Sequence, residues 1–229
     1  MAYTGSDAIY ITHSIPKFPS VQNETGNLHL VVLSIDESQT VYGQSMMCVH
    51  MSPQTLFEIA GLMTLNRPEV YYSSIKTPNG NITHLISKQK TNYNFDFAEL
   101  SFSSGSFSFQ YFSKNRDADL DFWEDVVSKY YDTGFLVETW GRPYLPSYCK
   151  PKYSHQVLNI RYIQIEDYTW KDTQDHSKWG VGMVKPLVCY GDINRMSSQE
   201  SRGGGGICIH SLQLANSHKK IIQESDSCS

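Results

Sequence analysis

Segments with the two-residue rhythm of a strand alternate along this chain with segments of helical rhythm, and that alternation most restricts its fold. Ala8 to Thr12 reads as a buried strand running into a loop broken by Pro16 and Pro19. Leu28 to Ile35 is a short apolar run, and Gly43 to Val49 a strand containing Cys48. Ser52-Pro53 is a helix start, with the hydroxyl as N-cap and proline at the first helical position. Leu56, Ile59, Ala60 and Met63 follow at helical spacing, and Arg67-Pro68 stops them. From Asn92 to Phe112, aromatic residues such as Phe102, Phe107 and Phe109 alternate among Ser and Gly, which predicts a hairpin or meander. Asp117 to Asp132 predicts a helix with acids at its start, an apolar stripe of Leu120, Trp123, Val127 and Tyr130, and Gly134 as its stop. Strands are predicted over Phe135 to Trp140 and His155 to Ile165, a flexible loop over Ser197 to Gly206, and a last helix over about Gln213 to Gln223. An α/β or α+β architecture follows.

A chain of 229 residues, 40% hydrophobic and 13% aromatic, has the material for a real core. No apolar run approaches the roughly 20 residues of a membrane span, so no membrane partner is expected. The first residues, Met1 to Asp7, lack the basic and apolar regions of a signal peptide. Asn23-Glu24-Thr25 and Asn81-Ile82-Thr83 are glycosylation sequons, which together with five cysteines point outside the cytosol. The formal charge is −4, unlike a DNA binder built for neutral pH. There are eight histidines, however, and protonating all of them moves the net charge from −4 to +4, so binding to a polyanion is expected at acid pH.

His176-Ser177-Lys178 is a His-x-Lys motif. Alone it says little, because about half a match is expected by chance in a chain of this composition. His218-Lys219-Lys220 matches too, on what reads as the solvent face of the last helix. The surroundings separate them: only His176 is followed by Lys178-Trp179-Gly180-Val181-Gly182 and then by Gly191-Asp192-Ile193-Asn194-Arg195. This order resembles the phospholipase D superfamily signature, His-x-Lys on one strand and Gly-Ser-x-Asn on the next. The aspartate that usually follows the lysine is missing; Met183 and its neighbours stand there, a departure shared by the deoxyribonuclease II branch.

The resemblance to the deoxyribonuclease II family then extends over nearly the whole chain. It rests on His13-Ser14-Ile15-Pro16-Lys17-Phe18-Pro19, Gly43-Gln44 through Cys48-Val49, Asp175-His176-Ser177-Lys178-Trp179, Cys189-Tyr190-Gly191-Asp192-Ile193-Asn194-Arg195, and Ser201-Arg202-Gly203-Gly204-Gly205 through Cys208. The resemblance implies an α/β, phospholipase D-like fold of mixed sheets flanked by helices. Residues 1–42 would be a remnant of one half and 43–229 a complete second half. It also implies acid endonuclease chemistry on DNA without metal or cofactor. One histidine attacks phosphorus, a second protonates the leaving oxygen, and lysine and amide groups neutralise the phosphoryl oxygens. His176 becomes a catalytic histidine, Lys178 and Asn194 phosphate ligands, and Ser14 the first half's counterpart of the Gly-Ser-x-Asn serine. By family spacing the first His-x-Lys would lie a few residues before Met1, so a homodimer, bringing two copies of His176 together, is one way to complete the site. The family's disulfides would be Cys189–Cys208 and Cys149–Cys228, with Cys48 left without its partner, and the location secreted or lysosomal.

Plainer roles compete for several of these residues. His13 touches substrate or merely hydrogen-bonds the proline-rich turn. Asp192 and Arg195 form a local ion pair or touch DNA. Arg202 beside Gly203 to Gly206 offers a phosphate contact or belongs to a moving loop. Trp179 reads as core or cleft wall before a base-stacking platform. Against the nuclease stands a second reading: a secreted, catalytically inactive relative that binds DNA or a partner protein without cutting.

Overall fold

The computed structural model describes residues 1–16, 38, 41–75, 79–88, 93–141 and 143–228. The Leu28–Ile35 run, the Lys17–Pro19 end of the first loop and Asn23 lie outside them. The chain begins with two strands, β1 (Ala2–Tyr3) and β2 (Ala8–His13), followed by β3 (Met46–Met51). These form a small antiparallel sheet in which Ala8 pairs with Met51 and His13 with Met46. The small sheet therefore draws on both sides of residue 42. Helix α1 (Pro53–Asn66) starts as its sequence dictates: the Ser52 side chain accepts from the Thr55 amide, and Leu56, Ile59 and Ala60 are buried. Helix α2 (Gly80–Ile86) packs against α1 through Ile82 and Leu85.

The aromatic alternation is a hairpin, β4 (Phe97–Ser104) with β5 (Phe107–Lys114), in which Phe102 stacks on Phe109 at 5.2 Å. The predicted helix from Asp117 is shorter and wound more loosely. It is a π-helix over Phe122–Ser128 that tightens to α3 (Lys129–Tyr131). That change of pitch rotates the stripe: Phe122, Trp123, Val126 and Val127 are fully buried, whereas Tyr130, a predicted stripe member, is 42% exposed. Strands β6 (Phe135–Glu138), β7 (Val157–Ile165), β8 (Tyr168–Lys171), β9 (Trp179–Gly182) and β10 (Leu187–Gly191) follow. Then come α4 (Ser197–Glu200), β11 (Gly204–His210), α5 (Leu212–Ile221) and β12 (Ile222–Ser225).

The large sheet has nine strands in the order β12-β7-β6-β9-β10-β11-β5-β4, with β8 beside β7. All its pairings are antiparallel except β6 with β7. The architecture is mixed α/β, two sheets flanked by helices. One core cluster joins the small sheet, α1, α5 and the large sheet through Val49, Ile59, Tyr111, Trp179 and Ala215. A second gathers the π-helix on the large sheet through Trp123, Phe135, Val137 and Leu187.

The glycine run expected to be a flexible loop is part of the sheet. Gly204 to Gly206 form the start of β11, paired with Lys114 to Phe112 of β5. Their lack of side chains has a packing reason: a Cβ on Gly205 would meet the Phe112 carbonyl at 2.4 Å, and one on Gly206 the Tyr190 carbonyl at 2.8 Å. Buried Lys114 pins the preceding turn by donating to the carbonyls of Ala118, Glu200 and Arg202. His218 is likewise not on a solvent face. Its Nε2 lies 2.8 Å from the Tyr190 hydroxyl, its Nδ1 3.0 Å from the Leu214 carbonyl, and its ring packs edge-on against Trp179, so it anchors α5 to β9 and β10.

Cys149–Cys228 and Cys189–Cys208 are disulfides, and Cys48 is free and exposed. Cys189 and Cys208 face each other directly across β10 and β11. Among the described residues, no helix is long and apolar enough to cross a membrane.

Candidate active site

The residues Asp175 to Trp179 alternate in burial: Asp175, Ser177 and Trp179 are buried, and His176 and Lys178 only partly so. Extended backbone sends successive side chains to opposite faces. The His-x-Lys spacing therefore puts imidazole and ammonium side by side on one face, with Asp175 and Ser177 behind them.

The next strand brings the second element. Trp179 of β9 pairs with Tyr190 of β10, and the Gly191 amide donates to the Lys178 carbonyl at 2.9 Å. The strands are antiparallel, so the segment entering β9 and the segment leaving β10, Gly191 to Asn194, lie at one end of the sheet. β11 supplies a third edge: Asp192 Oδ1 accepts from the Gly205 amide at 2.7 Å, and the Asp192 amide donates to the Gly205 carbonyl. An isolated bridge ahead of β3, Gly43 with Asp175, closes the other side. The His176 amide donates to the Gly43 carbonyl at 2.8 Å, and Gly43 donates to the Gln174 carbonyl. Gly43 must be glycine, since a Cβ there would lie 2.6 Å from the Asp175 carboxyl.

His176 sits between two rings. Trp140 meets it edge-on at 4.0 Å and Tyr42 lies at 4.7 Å. Its Nε2 is enclosed and has no hydrogen-bond partner among the described residues. Burial, and then the neighbouring Lys178 cation, push the imidazole down to about 4. The Lys178 ammonium donates to the His176 carbonyl at 2.8 Å and is itself lowered by burial, against the pull of Asp192 and Asp175. Solvent still reaches the Asp192 side chain, as on a cleft wall, yet the protein crowded round it pushes the carboxyl up, to about 6. Tyr10 and Tyr111, edge to face at 5.8 Å, border the same carboxylate. Asn194 is half-buried, its amide N–H bonded to Gln199 and its side-chain oxygen without a partner among the described residues.

Ser14 joins this end of the molecule through a relay. Its hydroxyl donates to Gln44 Oε1 and accepts from the Ser45 amide, both at 2.8 Å, and the next residue back, Gly43, is bonded to His176. The serine is thereby committed to fixing the loop that carries Gly43. His13 precedes it at the end of β2, half-buried, with an enclosed Nδ1 and an imidazole lowered by burial.

Arg195 is placed elsewhere. It is fully buried and bonds Asp121, Asn159 and the Pro146 carbonyl, with its guanidinium 4.5 Å from the Tyr148 ring. It is neither paired with Asp192 nor open to solvent: all three of its guanidinium nitrogens donate within the interior, bolting the segment after β10 to Asp121 ahead of the π-helix and to β7. The Arg202 side chain is exposed. Asn81 is exposed at the start of α2, and its amide nitrogen donates to the Phe57 carbonyl at 3.0 Å. Tyr42, Trp140 and Glu138 escape motif reading. Glu138 and Trp140 belong to the site because β6 pairs with β9, which puts Glu138 opposite Trp179, and Tyr42 because its neighbour Gly43 is bridged to Asp175. Among the described residues, no three His, Cys, Asp or Glu side chains are arranged to hold a metal ion.

The chain is similar to known proteins along its whole length. The family model described as Deoxyribonuclease II matches residues 1–228. A protein named putative deoxyribonuclease-2 from Burkholderia pseudomallei (strain 1710b) is 31% identical over 220 residues, covering 91% of this chain and 59% of the relative. Deoxyribonuclease-2 of Caenorhabditis elegans is 32% identical over 234 residues, 98% of this chain and 59% of the relative. Deoxyribonuclease-2-alpha of Sus scrofa is 25% identical over 96% of this chain and 61% of its own length. The chain spans about three fifths of the length of these relatives. With the His-x-Lys strand and the Gly-x-x-Asn segment side by side at one sheet end, and with the match running from end to end, the chain belongs to the deoxyribonuclease II family.

Proposed function

We propose that this chain carries the second half-site of an acid endonuclease that hydrolyses DNA phosphodiesters by histidine chemistry. The observation that supports the reading is the pairing of β9 with β10, which brings the segment of His176 and Lys178 and the segment Gly191 to Asn194 to the same sheet end. His176 is the attacking group. Attack on phosphorus needs a neutral imidazole, and burial with Lys178 keeps it neutral down to about pH 4. The Lys178 ammonium and the Asn194 amide take up charge on the phosphoryl oxygens, and the enclosed Nε2 has a bonding capacity that a phosphoryl group would fill. Proton donation to the leaving oxygen falls to a second histidine, which a second copy of the chain would bring as its own His176. Two disulfides suit an oxidising setting, secreted or lysosomal. The Asn81 and Asn23 sequons belong to the same proposal.

The test is plasmid cleavage with EDTA across pH 4 to 8, beside His176→Ala and over a range of protein concentrations. The expected result is cleavage greatest at acid pH, lost in the variant, and rising more steeply than linearly with concentration. Cleavage retained in His176→Ala refutes the assignment. A strictly linear dependence refutes the second-copy route.

A further inference from the structure

Behind His176 the protein has buried more carboxyl oxygens than it has donors. Glu138 ends β6 directly opposite Trp179, so its side chain shares a face with Trp179 and, by alternation, with Ser177 and Asp175. Glu138 and Asp175 are 0% and 1% exposed, and Ser177 is 2% exposed. Among the described residues, neither Glu138 oxygen nor Asp175 Oδ2 has a partner, while the Ser177 side chain interacts with the Asp175 carboxyl. A buried polar atom without a partner costs about 1–3 kcal/mol, and more when charged. Two ionised carboxylates here could only repel. A single proton on Glu138 converts one of them into a donor.

We propose that Glu138 is a positioning residue that must keep its proton, so that no second charge faces the buried Asp175 carboxylate and the strand edge carrying His176 and Lys178 stays in place. Asp175 is the link, because one of its oxygens holds the Ser177 amide at 2.7 Å and its carboxyl lies under Gly43, which in turn holds the His176 amide. The groups facing Glu138 are Asp175 and Asp172 from the segment before β9 and Arg161 from β7. Arg161 is already committed to Asp226 and Asp172, bonding both carboxylates. It cannot neutralise a third acid in full. Lys178 acts on Asp175 from the opposite face. Burial first, then Asp175 and Asp172, hold the Glu138 carboxyl well above the usual carboxylate range. An acid raised on folding contributes stability in full below its unfolded value, about 4.3, and that contribution is lost as pH rises through the folded value.

This inference rests on the nuclease reading for its consequence and not for its test. Glu138→Gln keeps the shape and the donor but cannot ionise. Melting of the whole chain is followed from pH 4 to 8 for wild type, Glu138→Gln and Asp175→Asn. Wild-type Tm should fall relative to Glu138→Gln as pH rises, opening a gap of several degrees, and Asp175→Asn should flatten the slope by offering Glu138 a donor. In the plasmid assay the alkaline limb should lie at higher pH for Glu138→Gln than for wild type. Parallel melting curves, an unfolded Glu138→Gln at pH 5, or coincident alkaline limbs would each overturn the proposal. Wild type that cuts nothing at any pH sinks the completion of the site by a second copy, while the melting curves still decide whether the proton is there.

Discussion

Above about pH 5 the imidazole of His176 is neutral because protonating it would place a charge in a half-closed pocket beside an ammonium. Removing that ammonium should raise the histidine. In Lys178→Met the His176 titration, followed by proton NMR of its ring, is expected to move upward from wild type; an unmoved titration would mean that burial alone sets it. The two arginines singled out in the sequence make opposite predictions. Arg195 is fully buried against Asp121, so Arg195→Ala strands a carboxylate in the interior and should cost about 3–5 kcal/mol in urea unfolding. Arg202 is exposed, so Arg202→Ala should alter stability by less than about 0.5 kcal/mol. If its side chain touches a phosphate, the loss shows in DNA binding instead, as a salt slope shallower by about 1.

At the scale of elements, the sheet is held close by small residues where larger ones would obstruct the helices. Gly180 of β9 lies under Trp123 of the π-helix, and a Cβ there would come 2.8 Å from the ring. Gly180→Ala should therefore cost about 1–3 kcal/mol by urea unfolding, since neither the ring nor the strand can retreat. How much of this could be read in advance differs by element. Helix α1 was legible because its start is local chemistry, a serine cap followed by proline. The His-x-Lys and Gly-x-x-Asn segments were legible because two strings in fixed order say more than either alone. The β4–β5 hairpin was legible from its alternation. The pitch of the 122–131 segment was not, because π and α winding bury similar compositions and differ only in which residues face inward; Tyr130 is the residue that tells them apart. Glycines 203–206 misled for a similar reason. Their composition matches a loop, and only neighbours distant in sequence explain why side chains are excluded: the Asn66 backbone at Gly203, Ile193 at Gly204, and strand carbonyls at Gly205 and Gly206. Glu138 and Trp140 could not be found at all, since β6 reaches the site through a pairing with β9 some forty residues later in the chain.

The whole molecule is tied together late in the sequence. Cys149–Cys228 closes a span of 79 residues, and Arg161–Asp226 holds the same C-terminal strand to β7. In the chain-entropy view a closure of that span contributes about 4–5 kcal/mol, more than the roughly 3 kcal/mol of Cys189–Cys208 across 19 residues. Replacing Cys149 and Cys228 by serine should therefore lower the melting temperature more than replacing Cys189 and Cys208, provided the inner pair's buried site is refilled by alanine. The ring contact at His176 has an optical consequence. An imidazolium withdraws the excited-state electron of an adjoining indole far better than a neutral imidazole does. Trp140 at 4.0 Å should dim as His176 gains its proton, and Trp179 beside His218 should give a separate signal. Tryptophan emission of the intact protein, compared with Trp140→Phe, then becomes a light meter for the charge on His176, readable without any DNA in the cuvette.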